Sequence, residues 1–223
     1  MKRAFTLVEL VLVVVVIGII SAVMVPRIDN VEIDKVAQQV VDHIRYTRHL
    51  AMMDNRFDPE DTNWYKERWQ IRFQYTGSSP RKYYYTIYSD SDKSGGYSQS
   101  EIAKNPLNQA QILTGKKDIS TTTTGMYTKQ MDLYNSFGIT SVSLTGCRDG
   151  GVSGALRFGF DYLGRPIVKN MDVLTKPYSS TSELRLATKT CNLKLTDSAG
   201  NKITISIEPE SGYTYISKIE RVN

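Results

Sequence analysis

Histidine and cysteine are scarce in this 223-residue chain, at two of each. That removes most chemistry that relies on imidazole or thiolate. Neither cysteine has a plausible base near it in sequence, and His43 and His49 do not share a helical face as a metal-binding pair does. A His-Glu helix motif, a nucleophile elbow and a phosphate-binding loop are all missing, so no enzyme class is supported. Excess charge of one sign is small as well. The formal net charge is +5, and Lys2 and Arg3 supply two of those charges, too weak a field to argue for nucleic acid by itself. No internal repeat is evident, and the length fits one ordinary domain with an N-terminal appendage.

What is present is a long apolar run. Phe5 to Val25 reads FTLVELVLVVVVIGIISAVMV, and as a continuous helix it is long enough for the about 30 Å hydrocarbon core of a bilayer. The basic Met-Lys-Arg flank predicts a cytoplasmic N-terminus with the bulk of the chain outside. A cleaved secretory signal is the competing reading. Its apolar region is normally shorter and ends at a small-x-small site, for which Ser21-Ala22-Val23 is poor. Glu9 is the exception within the run, since a carboxylate at mid-bilayer costs about 2.5 to 3.5 kcal/mol. Two explanations fit: it sits near the helix start, favoured by the positive end of the helix dipole, or it meets a cation from another subunit.

The string Lys2-Arg3-Ala4-Phe5-Thr6-Leu7-Val8-Glu9 before an apolar run resembles the class III signal of type IV prepilins and pseudopilins. The resemblance implies cleavage between Ala4 and Phe5 by a prepilin peptidase, with methylation of the new Phe5 amine. Ala4 departs from the glycine usual before the cut. The resemblance also gives Glu9 a role, pairing with the Phe5 α-amine of a neighbouring pilin or pseudopilin subunit during assembly. The implied partners are those subunits, the peptidase, an inner-membrane assembly platform and the lipid bilayer. The implied location is the bacterial inner membrane, crossed once, with a periplasmic C-terminal domain and incorporation in a pilus or pseudopilus.

After Pro26 the residues Val36, Val40, Ile44 and Ala51 recur at helical spacing with charged residues on other faces, so the helix is predicted to continue to about Asn55. Beyond Pro59 alternation takes over. Trp69 to Tyr75 and Lys82 to Tyr88 read as antiparallel strands joined by a turn around Gly77 to Pro80. Ser141 to Leu144, Leu156 to Phe160, Cys191 to Thr196 and Lys202 to Ile207 also read as strands, the last two as a hairpin whose Leu193, Leu195, Ile203, Ile205 and Ile207 form an apolar face for the helix. Phe160 to Pro166 and Ile205 to Ile216 are similar to the strand, glycine-turn, strand pattern of H-type pseudopilins and related minor pilins. The expected fold is α+β: a long N-terminal membrane-embedded α-helix packed against an antiparallel β-sheet domain, the pilin-like lollipop. Its parts are a leader (1–4), a transmembrane half-helix (5–25), an amphipathic half (26–57) and a periplasmic β-rich domain (58–223).

Three candidate sites lie in that domain. Residues 90–101 follow the spacing of a twelve-residue EF-hand-type loop, with Gly95 at the sharp turn. Asp90, Asp92, Ser94, the Gly96 carbonyl, Ser98 and a bidentate Glu101 are the predicted ligands of a structural Ca²⁺. A solvated Ser/Gly/Asp loop is the plain alternative, and Tyr97 stands where a small aliphatic residue is usual. Cys147 and Cys191 either form a disulfide, contributing about 4 kcal/mol in the chain-entropy model, or are buried thiols. Lys218 and Arg221 are the candidates for DNA contact, the alternative function being a DNA-capturing minor pilin, although Glu208, Glu210 and Glu220 interrupt the field. The function that accounts for most residues is a structural filament subunit supporting protein secretion or pilus assembly, without chemistry of its own.

Overall fold

The structure, a computed structural model, describes residues 6–24, 29–116, 126–146, 156–168 and 186–222, with only the backbone for 21–24 and 29–31. The chain order begins with two helices, α1 (Leu7–Met24) and α2 (Asp29–Met53). Strands β1 (Trp69–Thr76) and β2 (Lys82–Ser89), the short pair β3 (Lys104–Asn105) and β4 (Asn108–Ile112), and a one-turn helix α3 (Leu133–Phe137) follow. Then come β5 (Ile139–Thr145), β6 (Leu156–Phe160), β7 (Pro166–Val168), β8 (Cys191–Asp197), β9 (Lys202–Ile207) and β10 (Thr214–Glu220). Two four-stranded antiparallel sheets result, ordered β2-β1-β6-β7 and β10-β9-β8-β5, with β3-β4 as a third small sheet.

Helix α2 joins the two large sheets. Val36, Ala37, Val40, Val41 and Ile44 recur at three- and four-residue intervals and are buried, the stripe expected of a helix that faces a core. It touches β1 and β6 in one sheet and β9 and β10 in the other. Across β8 and β9, Leu193 faces Ile205 and Leu195 faces Ile203. All four are fully buried, so the hairpin presents its apolar face inward as the alternation predicts. Strand β2 breaks alternation, because Tyr83 through Ser89 are all buried. Its outer face is covered by the 97–114 region, where Tyr88 packs with Ile102 and Ile112 and the Thr86 and Thr114 hydroxyls share a hydrogen bond at 2.7 Å.

The two glycine turns noted in the sequence meet over α2. Gly164 and Gly212 both have positive φ, at +78° and +65°, a conformation that glycine adopts without a Cβ penalty. A Cβ on Gly212 would collide with the Gly164 carbonyl oxygen, and one on Gly164 would collide with the Arg48 side chain. Arg48 Nε donates to that same carbonyl at 3.2 Å.

The N-terminal expectation is corrected. Among the described residues there is no single long helix running from Phe5 to Asn55; α1 and α2 are separate elements, and Pro26 lies outside the described residues. The lollipop is therefore not the observed architecture. Only α2 packs on the sheets, while every described side chain of α1 from Leu7 to Ile20 is exposed. The single-pass inner-membrane location is overturned on the same ground, since no helix among the described residues is long and apolar enough to cross a membrane.

Candidate metal centre

The 90–101 loop hangs between the end of β2 and Ile102, which bridges back to Tyr88. Its middle is tied to β1, β2 and β6. Tyr97 packs its ring 4.7 Å from that of Tyr88 and donates its hydroxyl to Gln74 Oε1 at 2.5 Å. Arg157 Nη1 donates to the Tyr88 hydroxyl at 3.2 Å and to the Gly95 carbonyl at 3.4 Å. Thus Tyr97, out of pattern for an EF-hand loop, serves as the loop's anchor here. Lys93, with φ at +59°, reaches the other way and pairs with Asp61 and Glu67 at 2.8 and 2.7 Å.

Three carboxylates converge within this frame. Asp90, Asp92 and Glu101 bring oxygens within 4.8 Å of one another, and such a triad can bind a metal ion. Gly95 has φ at +82°, which lets its N–H turn back and donate to Asp90 Oδ2 at 2.9 Å. Ser94 N–H donates to Asp92 Oδ1 at 2.9 Å. The other Asp90 oxygen, Oδ1, is buried and has no hydrogen-bond partner. A buried carboxylate oxygen without a donor costs roughly 1–3 kcal/mol, and an all-oxygen cluster around it fits a hard divalent cation.

Electrostatics divide the three acids. Burial pushes the Asp90 carboxyl up to about 6, with the neighbouring Asp92 and Glu101 charges adding to it. Ser94 holds the Asp92 carboxyl below its ordinary value. Burial alone would raise Glu101, but hydrogen bonds from Ser98, Asp92 and Ser91 outweigh it and leave that carboxyl lowered.

Glu101 is also more occupied than the ligand pattern supposes. Its Oε1 accepts from Ser91 Oγ and Asp92 N–H at 3.0 and 2.9 Å, and its Oε2 accepts from Ser98 N–H and Ser98 Oγ at 2.7 and 2.9 Å. Those bonds use the four acceptor sites of a carboxylate. Ser98 and Glu101 form a capping box on the single 3-10 turn Gln99–Glu101. Bidentate ligation by Glu101 therefore requires it to give up bonds it already makes. Ser98 lies beside Glu101, and Gly96 lies beside Ser94, whose Oγ would be 3.8 Å from a Cβ built on Gly96.

The other sequence-derived sites fare as follows. Ala4 and Phe5 lie outside the described residues. Glu9 Oε2 accepts from both the N–H and the Oγ1 of Thr6 at 2.9 Å, and Glu9 N–H donates to Thr6 Oγ1 at 3.4 Å, a second capping box at the start of α1. Sequence reasoning missed both boxes, although the signal was there: Thr6-Leu7-Val8-Glu9 and Ser98-Gln99-Ser100-Glu101 each read S/T-x-x-E. Cys191, fully buried at the start of β8, is disulfide-bonded. Cys147, the chain's other cysteine, lies outside the described residues. Lys218 pairs with Glu220 at 2.6 Å and Arg221 with Asp34 at 2.7 Å, so each DNA candidate faces a carboxylate. His43 is half-buried on α2, with Nδ1 2.6 Å from the Tyr85 hydroxyl. No protein-family model, curated protein or solved structure matches the chain.

Proposed function

We propose that the chain is a filament subunit of the type IV pilin-like class, acting in protein secretion or pilus assembly. The observation that carries this reading is α1: its described side chains are apolar apart from Glu9, and all are exposed. A helix that is apolar on every side needs cover on every side, and at about 25 cal/mol per Å² its side chains represent a large driving force for association. Other copies of α1, or the equivalent helices of partner subunits, supply that cover. Glu9 serves twice in this account, capping α1 through Thr6 before assembly and accepting the freed amine of Phe5 from a neighbour within the assembly. Pairing of the buried acid in correctly staggered neighbours alone would set subunit register.

Intact mass and N-terminal fragment spectra of the protein from its producing cells test this. A mature chain that begins at a methylated Phe5 and a Glu9→Gln variant that is trimmed but fails to assemble are the expected results. An intact Met1, or a Glu9→Gln variant that assembles as the parent does, contradicts the reading.

The metal in the 90–101 loop is read as Ca²⁺, held by Asp90 and Asp92 with Glu101 and Ser98 rearranging to complete the shell. The unpartnered Asp90 Oδ1 supports it, together with the exclusively oxygen donors. The ion's role is structural, neutralising a buried acid. Added Ca²⁺ raises the melting temperature and chelator reverses it; a parent protein that responds to neither excludes the ion.

A further inference from the structure

The end of α2 and the turn after β6 enclose a second feature that the filament reading does not use. A cavity of about 310 Å³ is lined by Asn55, Phe57, Trp64 and Tyr162, near the small end of the about 300–1,000 Å³ range of ligand pockets. Two of its three aromatic rings are wet: Phe57 is 56% and Tyr162 47% exposed. Phe57 and Trp64 meet edge to face, with centroids 5.1 Å apart and ring planes at 81°. The wall is therefore a corner and not a parallel slot. Tyr65 and Arg68 fix the Trp64 ring, the first edge-on at 6.1 Å and the second with its guanidinium 4.7 Å from the Trp64 centroid.

The polar groups at this corner are the Asn55 amide and the Tyr162 hydroxyl. Asn55 Oδ1 accepts from the Phe57 N–H at 3.2 Å, which leaves the two Nδ2 hydrogens of its amide at the rim. Beneath it a narrow cleft shares Asn55, Trp64 and Tyr162 and continues to Asp54 and Arg56. Asp54 Oδ2 accepts from Trp69 Nε1 at 3.0 Å and pairs with Arg56 Nη2 at 2.7 Å, so the two charges are directed at each other. The four residues that line the cavity itself are uncharged.

We propose that this corner binds a neutral saccharide, one pyranose ring seated against Phe57, Trp64 and Tyr162. A pyranose is thick and puckered, with an apolar C–H face that the negative faces of aromatic rings attract and a rim of hydroxyls that accept from an amide. The perpendicular rings fit that shape. A planar aromatic ligand calls for a parallel slot, an extended peptide calls for a groove longer than four residues, and a charged ligand calls for an unmatched charge at the wall. The site shares no lining residue with α1 or with the acidic cluster of the 90–101 loop.

The full chain is titrated with N-acetylglucosamine, glucose, galactose, chitobiose, cellobiose and lactose, and with glucuronate and N-acetyltryptophanamide as controls. Binding is read by saturation-transfer NMR and by tryptophan emission, which reports this region because both tryptophans, Trp64 and Trp69, border it. At least one neutral sugar saturates the response. Phe57→Ala and Tyr162→Ala each weaken that binding about tenfold, equivalent to one lost stacking contact, with the melting temperature unchanged. The proposal is overturned if no neutral sugar saturates, if only glucuronate or the tryptophan amide does, or if both variants bind as the parent does.

Discussion

Helices α1 and α2 are neighbours in the chain but opposites in how they are stabilised. Every described side chain of α1 faces outward, whereas α2 buries Ile33 through Ile44 on one face between two sheets. The difference teaches that α2 is self-sufficient and α1 is not: one closes its account inside the chain, the other only against something else. The acidic loop resembles α1 in this respect. Asp90 and Glu101 are buried, yet Asp90 Oδ1 lacks a partner, so that acid is left unsatisfied within the chain as α1 is left uncovered.

Four measurements sharpen or break that contrast, the largest effect first. Ile44→Ala, which empties a fully buried site, lowers stability by about 2 to 5 kcal/mol in chemical denaturation of the full chain. Leu12→Ala, on the exposed α1, changes it by less than about 0.5 kcal/mol; equal losses would break the comparison.

Asp90→Asn tests the loop. Because the folded carboxyl is raised to about 6 from 3.8, the folded state holds its proton longer than the unfolded chain. That contribution is present below about pH 4 and is lost as pH rises through 6, at an ion-free cost of about 3 kcal/mol at pH 7. The Asn variant therefore melts higher than the ion-free parent at pH 7, equals it below pH 4, and no longer responds to Ca²⁺.

His43 sends stability the other way in nearly the same window. Its burial lowers the imidazole to about 4 from 6.5, the Asp42 charge opposing. The unfolded chain thus takes up a proton first, and stability falls by up to about 3 kcal/mol as pH drops from 6.5 to 4. Without ion the Asp90 and His43 slopes partly cancel. Ca²⁺ keeps Asp90 ionised and exposes the His43 slope, which His43→Gln flattens; denaturation curves between pH 4 and 7 check both. The last effect is local: Thr6→Ala removes the α1 cap at a cost of about 1 kcal/mol confined to that helix. It speeds amide exchange in the first turn of α1 without moving the global transition.

Much of the sheet framework was legible because alternation is a local signal. Leu156–Phe160 and Lys202–Ile207 agree with the predicted strands at both ends, and β1, β2, β5 and β8 differ by one to three residues in total. Strands β3, β4 and β7 and helix α3 were not read, being two to five residues long and held by neighbours instead of by a period of their own. The full burial of β2 was illegible for the same reason, since its second cover comes from the 97–114 region, which shows no clear strand or helix period of its own. The acidic cluster was found by spacing. What spacing does not reveal is that Glu101 spends its oxygens on Ser91, Asp92 and Ser98, or that Asp90 is the acid left wanting. Hydropathy erred over the N-terminus, where an apolar run reports low polarity but not the bounds of the helix. The Phe57–Trp64–Tyr162 corner left no sequence signal, because its rings come from three separated segments.

The central claim, that α1 is covered by other subunits, is tested most directly by a photo-reactive residue placed at Val14 in the assembled protein. Interchain products that map to residues 7–24 of a second subunit are the predicted result. Products confined to the strands of the same chain, or the absence of any interchain product, would contradict it.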